Sequence, residues 1–211
     1  MALENNKRIA KNTILLYMRM LVLMLISLYT SRVILRTLGV EDYGIYNVVG
    51  GVIAMFSILS RSISSAISRF ITFELGREDF DKLKKIFSTS VTIQIGIAIV
   101  IFILTESIGV WFLNTHLNIS PERLVAANWV LQCSIATFII DLISIPYNAA
   151  IIAHEDMKAF AYISLFEATA KLIVVLVLQS VLFDKLIVYS LLLLFVSFLV
   201  RITYGLSLIH I

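Results

Sequence analysis

Long apolar stretches alternate with short polar segments along the whole chain. Six stretches are long enough to matter: residues 13–35, 44–68, 87–112, 124–145, 159–181 and 186–204. A helix needs about 20 mostly apolar residues to cross the hydrocarbon of a bilayer. The stretches lack the strict alternation of a membrane β-strand, and two prolines and eight glycines are too few for a barrel of short strands and turns. The pattern therefore predicts an all-α, polytopic transmembrane helical bundle of about six spans. The second stretch reads as one long helix whose polar end runs toward Glu74, and Pro146 marks a kink point at the end of the fourth. Three segments follow: a polar, cytoplasmic N-terminal segment (1–12), a six-helix transmembrane lobe (13–204), and a tail (205–211) that reads as truncated or non-native.

Composition strengthens this reading. The 211 residues are 60% hydrophobic and 15% charged, with a mean hydropathy of +0.97. Residues 1–12 carry Lys7, Arg8 and Lys11 like the start of a signal peptide. The apolar run behind them is too long and ends without a small-x-small cleavage site, so it reads as an uncleaved first span. Arg19, Arg61 and Lys171 lie deep within spans, and the other basic residues gather in the connections or near span ends. Ten fall on the side of the N-terminus and four, Arg32, Arg36, Arg123 and Lys185, on the other. By the positive-inside rule the N-terminus faces the cytoplasm. The net charge of +3 is a topology signal, with no basic surface for nucleic acid.

Arg19 and Arg61 lie near the middle of the first two stretches. A charge at that depth costs about 2.5–3.5 kcal/mol on insertion scales. Such an arginine faces a water-filled cavity, a paired carboxylate or an anionic ligand. Residues spaced by three, four, seven or eleven share a helix face. Gly50, Ser57, Ser64, Ser65 and Ser68 share the face of Arg61. Ser134, Thr137, Ser144 and Asn148 share that of Asp141. Small and hydroxyl residues of this kind are most often helix-contact surface; a charge is not required for that. Glu167 and Lys171 stand at i, i+4 with the acid first, the favourable order for an ion pair within a helix. Asp141 reads equally as a partner of Arg19 or Arg61 and as a proton or sodium site. His116, His154 and His210 form no metal-ligand spacing, Cys133 is the lone cysteine, and no phosphate-cradling loop is present. The sequence predicts no enzyme, no metal and no cofactor.

Several segments together resemble the N-terminal half of a polysaccharide (O-antigen and capsule) flippase. These are Lys11-Asn12-Thr13, Leu38-Gly39-Val40-Glu41-Asp42-Tyr43-Gly44-Ile45-Tyr46, Ser68-Arg69-Phe70 with Glu74-Leu75-Gly76, and Pro146-Tyr147-Asn148-Ala149 followed by Ala153-His154-Glu155. That family lies in the multidrug, oligosaccharidyl-lipid and polysaccharide exporter superfamily. The resemblance implies one lobe of a two-lobed alternating-access transporter in the bacterial inner membrane. The partners it implies are a polyprenyl-diphosphate-linked oligosaccharide as cargo, membrane lipid, and a C-terminal lobe or a second copy of the chain. Arg19 and Arg61, and with them Lys171, would hold the diphosphate; Asp141 and Glu167 would serve as charge partners or an ion-coupling site. A cation-coupled drug antiporter of the same architecture is the alternative, against which stands the slight basic excess among the mid-span charges. A membrane-embedded glycan polymerase or ligase is a further alternative, for which the connection at 114–123 is too short to hold a catalytic domain.

Overall fold

The computed structural model describes residues 2–209, without the side chains of residues 2–9, 11, 54, 58, 59, 61, 208 and 209. Among these residues all regular structure is helical. The elements are α1 (Ala2–Ala54), α2 (Ser57–Gly76), α3 (Phe80–Leu104), a π-helical turn (Thr105–Gly109), α4 (Val110–Thr115), α5 (Leu124–Ala153), α6 (Met157–Leu178) and α7 (Lys185–Ile209). Five helical segments are long and apolar enough to cross a membrane: Asn12–Ile53, Phe80–Thr115, Leu124–Ala153, Met157–Leu178 and Lys185–Ser207.

The first of these is doubled back on itself. Gly39 has φ 82° and ψ 174°, a conformation open to glycine and to few other residues. Before it, α1 runs alongside α6, with Val33 and Ile34 in one apolar cluster with Ile163, Val175 and Leu178. After it, Asp42 meets Arg123 at the head of α5 and Phe56 meets Phe138 further along. The returning limb thus follows α5, and Ile67 and Ile71 of α2 carry the same path down to Ala149 and Ala150. The second predicted stretch is therefore the returning limb of α1 followed by α2. It is not one long helix as the hydropathy pattern predicts. Met55 and Phe56 interrupt it, just after Gly50-Gly51, where helix propensity is weakest.

Helix α5 is the hub. Ala126, Ala127, Val130, Ala149 and Ile151 are at most 3% exposed, and the alanines let neighbouring backbones approach closely. It continues through Pro146 to Ala153, eight residues past the predicted end. Bilayer helices tolerate an internal proline when neighbouring helices cover the freed carbonyl. Likewise α7 runs on through residues 205–209.

One polar clamp closes the Gly39 end. Arg123 Nε donates to Asp42 Oδ1 at 2.7 Å, and its Nη2 donates to the other oxygen of that carboxylate. Its Nη1 donates to Asp184 Oδ2 at 2.6 Å. Asp184 also accepts from the backbone N–H groups of Leu186 and Ile187 and so caps α7. The Asp42 hydrogen bonds, helped by the nearby Asp184 charge, raise the Arg123 pKa above its ordinary value against the opposing effect of burial. One side chain thus ties α1, α5 and α7 with charge-assisted bonds.

Two outcomes follow. Replacing Gly39 with alanine meets no steric obstacle, since nothing lies within 4 Å of the added carbon. Backbone strain alone should then destabilise the fold by about 1–3 kcal/mol, read as a lowered Tm of the detergent-solubilised protein; an unchanged Tm would remove the reversal from its place in the fold. Arg123→Ala should cost about 1.5–3 kcal/mol, and Arg123→Lys should recover only part of it because an ammonium cannot grip Asp42 with two parallel bonds.

Candidate functional site

The polar faces of α5, α6 and α7, with the returning limb of α1 and the start of α2, line two cavities that have Asp141 in common. The first, about 260 Å³, is lined by Tyr46, Gly50, Ser57, Ser134, Thr137 and Asp141, with Cys133, Phe138 and Ser190 among the remaining walls. The second, about 180 Å³, is lined by Asp141, Ser144, Asn148, Glu167, Val200 and Tyr204. Asp141 belongs to both. The stripe Ser134-Thr137-Asp141-Ser144-Asn148 read from helical spacing is the wall of α5 that these cavities share. Ser57 and Gly50, from the predicted stripe of the second span, line the first cavity.

The charged residues converge on this region. Lys171 Nζ donates to Glu167 Oε1 at 2.5 Å within α6, the intrahelical pair that their spacing predicts. Asp141 makes no ion pair or hydrogen bond among the described residues; it lies within electrostatic range of Glu167 and Lys171. It is not bonded to Arg19, one of the two pairings that sequence left open. The side chain of Arg61 lies outside the described residues.

Arg19 is held differently. Its guanidinium carbon sits 4.1 Å from the centre of the Phe160 ring, a cation–π contact between α1 and the first turn of α6. Its Nε is buried with no hydrogen-bond partner. Tyr204 and Glu167 are within electrostatic range, and no described carboxylate is close enough to pair with it. Arginine stays charged and offers five donors in a planar fork. Arg19 lines neither cavity, but it presents a donor that the described residues do not consume, within electrostatic range of Glu167 and Tyr204, which line the second cavity together with Asn148 and its unpartnered Oδ1.

Phe160 and Tyr204 are site residues that the hydropathy pattern does not reveal. An aromatic residue in an apolar stretch reads as lipid-facing or core, and only the crossing of α1 over α6 shows that Phe160 lies under a guanidinium. A second cation–π contact, Arg201 over Tyr147 at 3.7 Å, holds α7 to α5 near the same end. The His/Cys/Asp/Glu side chains described here form no cluster able to hold a metal ion.

No curated protein and no solved structure shows a significant match to the chain. A family model described as polysaccharide biosynthesis protein matches residues 9–211, nearly the full length, and takes in every helix and both cavities. With its all-helical, membrane-crossing fold and its charged interior, the chain belongs to the polysaccharide biosynthesis protein family.

Proposed function

We propose that this chain is one lobe of a flippase that carries a polyprenyl-diphosphate-linked oligosaccharide across the bacterial inner membrane, from the cytoplasmic to the outer leaflet. The observation that carries this reading is Arg19, a membrane-embedded guanidinium with no carboxylate partner among the described residues and a buried Nε that none of them uses. A diphosphate supplies the acceptors it lacks, with two parallel charge-assisted hydrogen bonds. Arg61 serves as the second cationic ligand by type and depth in the second span. Lys171 joins them once the incoming anion competes with Glu167 for its ammonium.

In this reading the N-terminus is cytoplasmic, and a second lobe, from further chain or another copy, faces the charged side to complete the cavity. Asp141 supplies the coupling group. Its carboxylate lines both cavities and has no partner among the described residues, where a proton or sodium ion can neutralise it. Transport needs no covalent chemistry, so the chain is a carrier and not an enzyme.

Asp141 and Glu167 also favour one competing reading, a cation-coupled drug antiporter, since two acids around one cavity attract cations. The two readings separate in the complete gene. Arg19→Ala and Arg61→Ala should each reduce surface polysaccharide about tenfold or more, as expected for losing one or two charge-assisted hydrogen bonds of about 1.5–3 kcal/mol each, while membrane insertion stays normal. Wild-type polysaccharide in both variants would remove the arginines from the cargo site. Drug resistance that depends on Asp141 and not on the arginines would install the antiporter in its place.

The ion pair makes its own prediction. Lys171→Met leaves Glu167 unpaired and should lower the Tm more than the double variant Glu167→Gln/Lys171→Met, because removing one partner strands the other. If export fails in the double variant although its Tm is restored, the pair acts on cargo as well as on the fold; restored export assigns it to stability alone.

A further inference from the structure

Helices α2 and α3 form a hairpin closed by residues 77–79, at the end of α2 opposite Ser57, the residue by which α2 reaches the first cavity. Asp79 caps α3 by accepting from the Lys82 backbone N–H at 3.1 Å, and its other oxygen pairs with Lys82 Nζ at 2.8 Å. Hydrogen bonds from Lys82 hold the Asp79 carboxyl below the usual carboxylate range. Along the outside of the hairpin runs a groove of about 510 Å³. Phe70, Ile86, Thr89, Ser90 and Ile93 line it, with Lys82 and Lys85 toward the 77–79 turn. Ser90 Oγ donates to the Ile86 carbonyl, which leaves the Thr89 hydroxyl as the other polar group of the lining besides the two lysines. Phe70 and Ile93 are 62% and 53% exposed and open the groove sideways to the bilayer.

The dimensions and the charges match one kind of molecule. From Lys82 to Ile93 the helix rises about 16 Å at 1.5 Å per residue, close to one leaflet's share of the hydrocarbon. The groove is mostly apolar along that depth, with Thr89 and Ser90 its polar lining, and basic at its end. No carboxylate lines it, Asp79 is committed to Lys82, and Lys85 has no ion-pair partner among the described residues. Basic pockets between helices at the membrane surface suit lipid phosphates.

We propose that the α2–α3 groove is a binding site for an anionic phospholipid of the leaflet that contains residues 77–85. Its headgroup phosphate sits between Lys85 and Lys82, and one acyl chain lies along Phe70, Ile86 and Ile93. The phosphate shares Lys82 with Asp79, so the lipid bears directly on the cap of α3 and ties the hairpin to the membrane surface. The site is separate from the cavities of Asp141 and does not depend on the identity of the cargo.

Purified protein in neutral detergent tests this with phosphatidylglycerol as probe and phosphatidylcholine as control, using lipid retention by native mass spectrometry and the Tm. Phosphatidylglycerol should be retained selectively and raise the Tm. Lys82→Ala/Lys85→Ala should weaken its retention about thirtyfold, the effect of two interfacial charges. Lys82→Ala also removes a surface ion pair, so a second variant, Ser90→Trp, fills the groove and leaves the charges in place; it should abolish retention while the far-UV spectrum and the elution volume stay unchanged. Equal retention of phosphatidylcholine, or undiminished phosphatidylglycerol binding by both variants, would overturn the site. Polyprenyl phosphate that displaces phosphatidylglycerol without being displaced by it would overturn the assigned occupant.

Discussion

An ionised side chain in hydrocarbon costs several kcal/mol unless something in the protein answers its charge, and the bundle is arranged around that constraint. Four charged residues of the membrane region, Arg19, Asp141, Glu167 and Lys171, come from α1, α5 and α6 and gather on one side. Each is answered differently: Lys171 by Glu167, Arg19 by the face of Phe160, Asp141 by the cavities it lines. The apolar faces of the same helices then have no choice of direction. Those of α5 turn toward α2, α3 and the returning limb of α1, where the buried alanines bring the backbones together. In the bilayer, where lipid is as apolar as leucine, close contact of this kind holds helices together in place of a hydrophobic driving force.

Backbone irregularity is concentrated in the same way. The break at Met55–Phe56 and the π-helical turn Thr105–Gly109 meet in one apolar pocket lined by Phe56, Thr105 and Gly109. Both stay hydrogen-bonded. Met55 N–H reaches the Gly51 carbonyl at 3.3 Å and Phe56 N–H the Ile53 carbonyl at 3.0 Å. Thr105 Oγ1 donates to the Ile101 carbonyl at 2.7 Å. Away from ideal helix, the bilayer tolerates backbone only where the protein covers it, and two neighbouring helices cover each other here. Gln94 is an exception among side chains: it is fully buried in α3, and neither of its polar atoms has a partner among the described residues.

The helical class, the approximate spans and the polar face of α5 are all local properties, and they were legible in sequence because hydropathy and the 3.6-residue period act within one helix. Ser134, Thr137, Asp141, Ser144 and Asn148 fall on one cavity wall for that reason, and Glu167 meets Lys171 through the same period. What depends on contacts between helices was not legible. Arg123 finds Asp42 across 81 residues of sequence, and nothing local marks Phe160 as the support of Arg19. The spans at 13–35 and 44–68 leave residues 36–43 between them, and the reversal at Gly39 falls there; helix persists on both sides of it, so a single glycine does the work of a loop. The break at Met55–Phe56 and the π-helical turn lie inside apolar runs that hydropathy reads as continuous.

The arrangement of charges bears on how a carrier of the proposed kind both binds and lets go. A pocket holding only cations would keep a diphosphate, since binding too tightly on one side prevents release on the other. Glu167 lies within electrostatic range of Arg19 and is bonded to Lys171, so it is a built-in competitor for the cations an anionic cargo would use. Asp141 stands close enough to act on the same residues. An anion that draws Lys171 away from Glu167 leaves two uncompensated carboxylates in a medium of low dielectric, and a proton or cation taken up there relieves the repulsion. By linkage the effect runs in both directions: cation uptake at Asp141 and Glu167 favours anion binding, and cation loss favours its release. Two acids beside the basic residues are therefore what coupled export of an anionic lipid requires, and a wholly basic cavity would serve it less well.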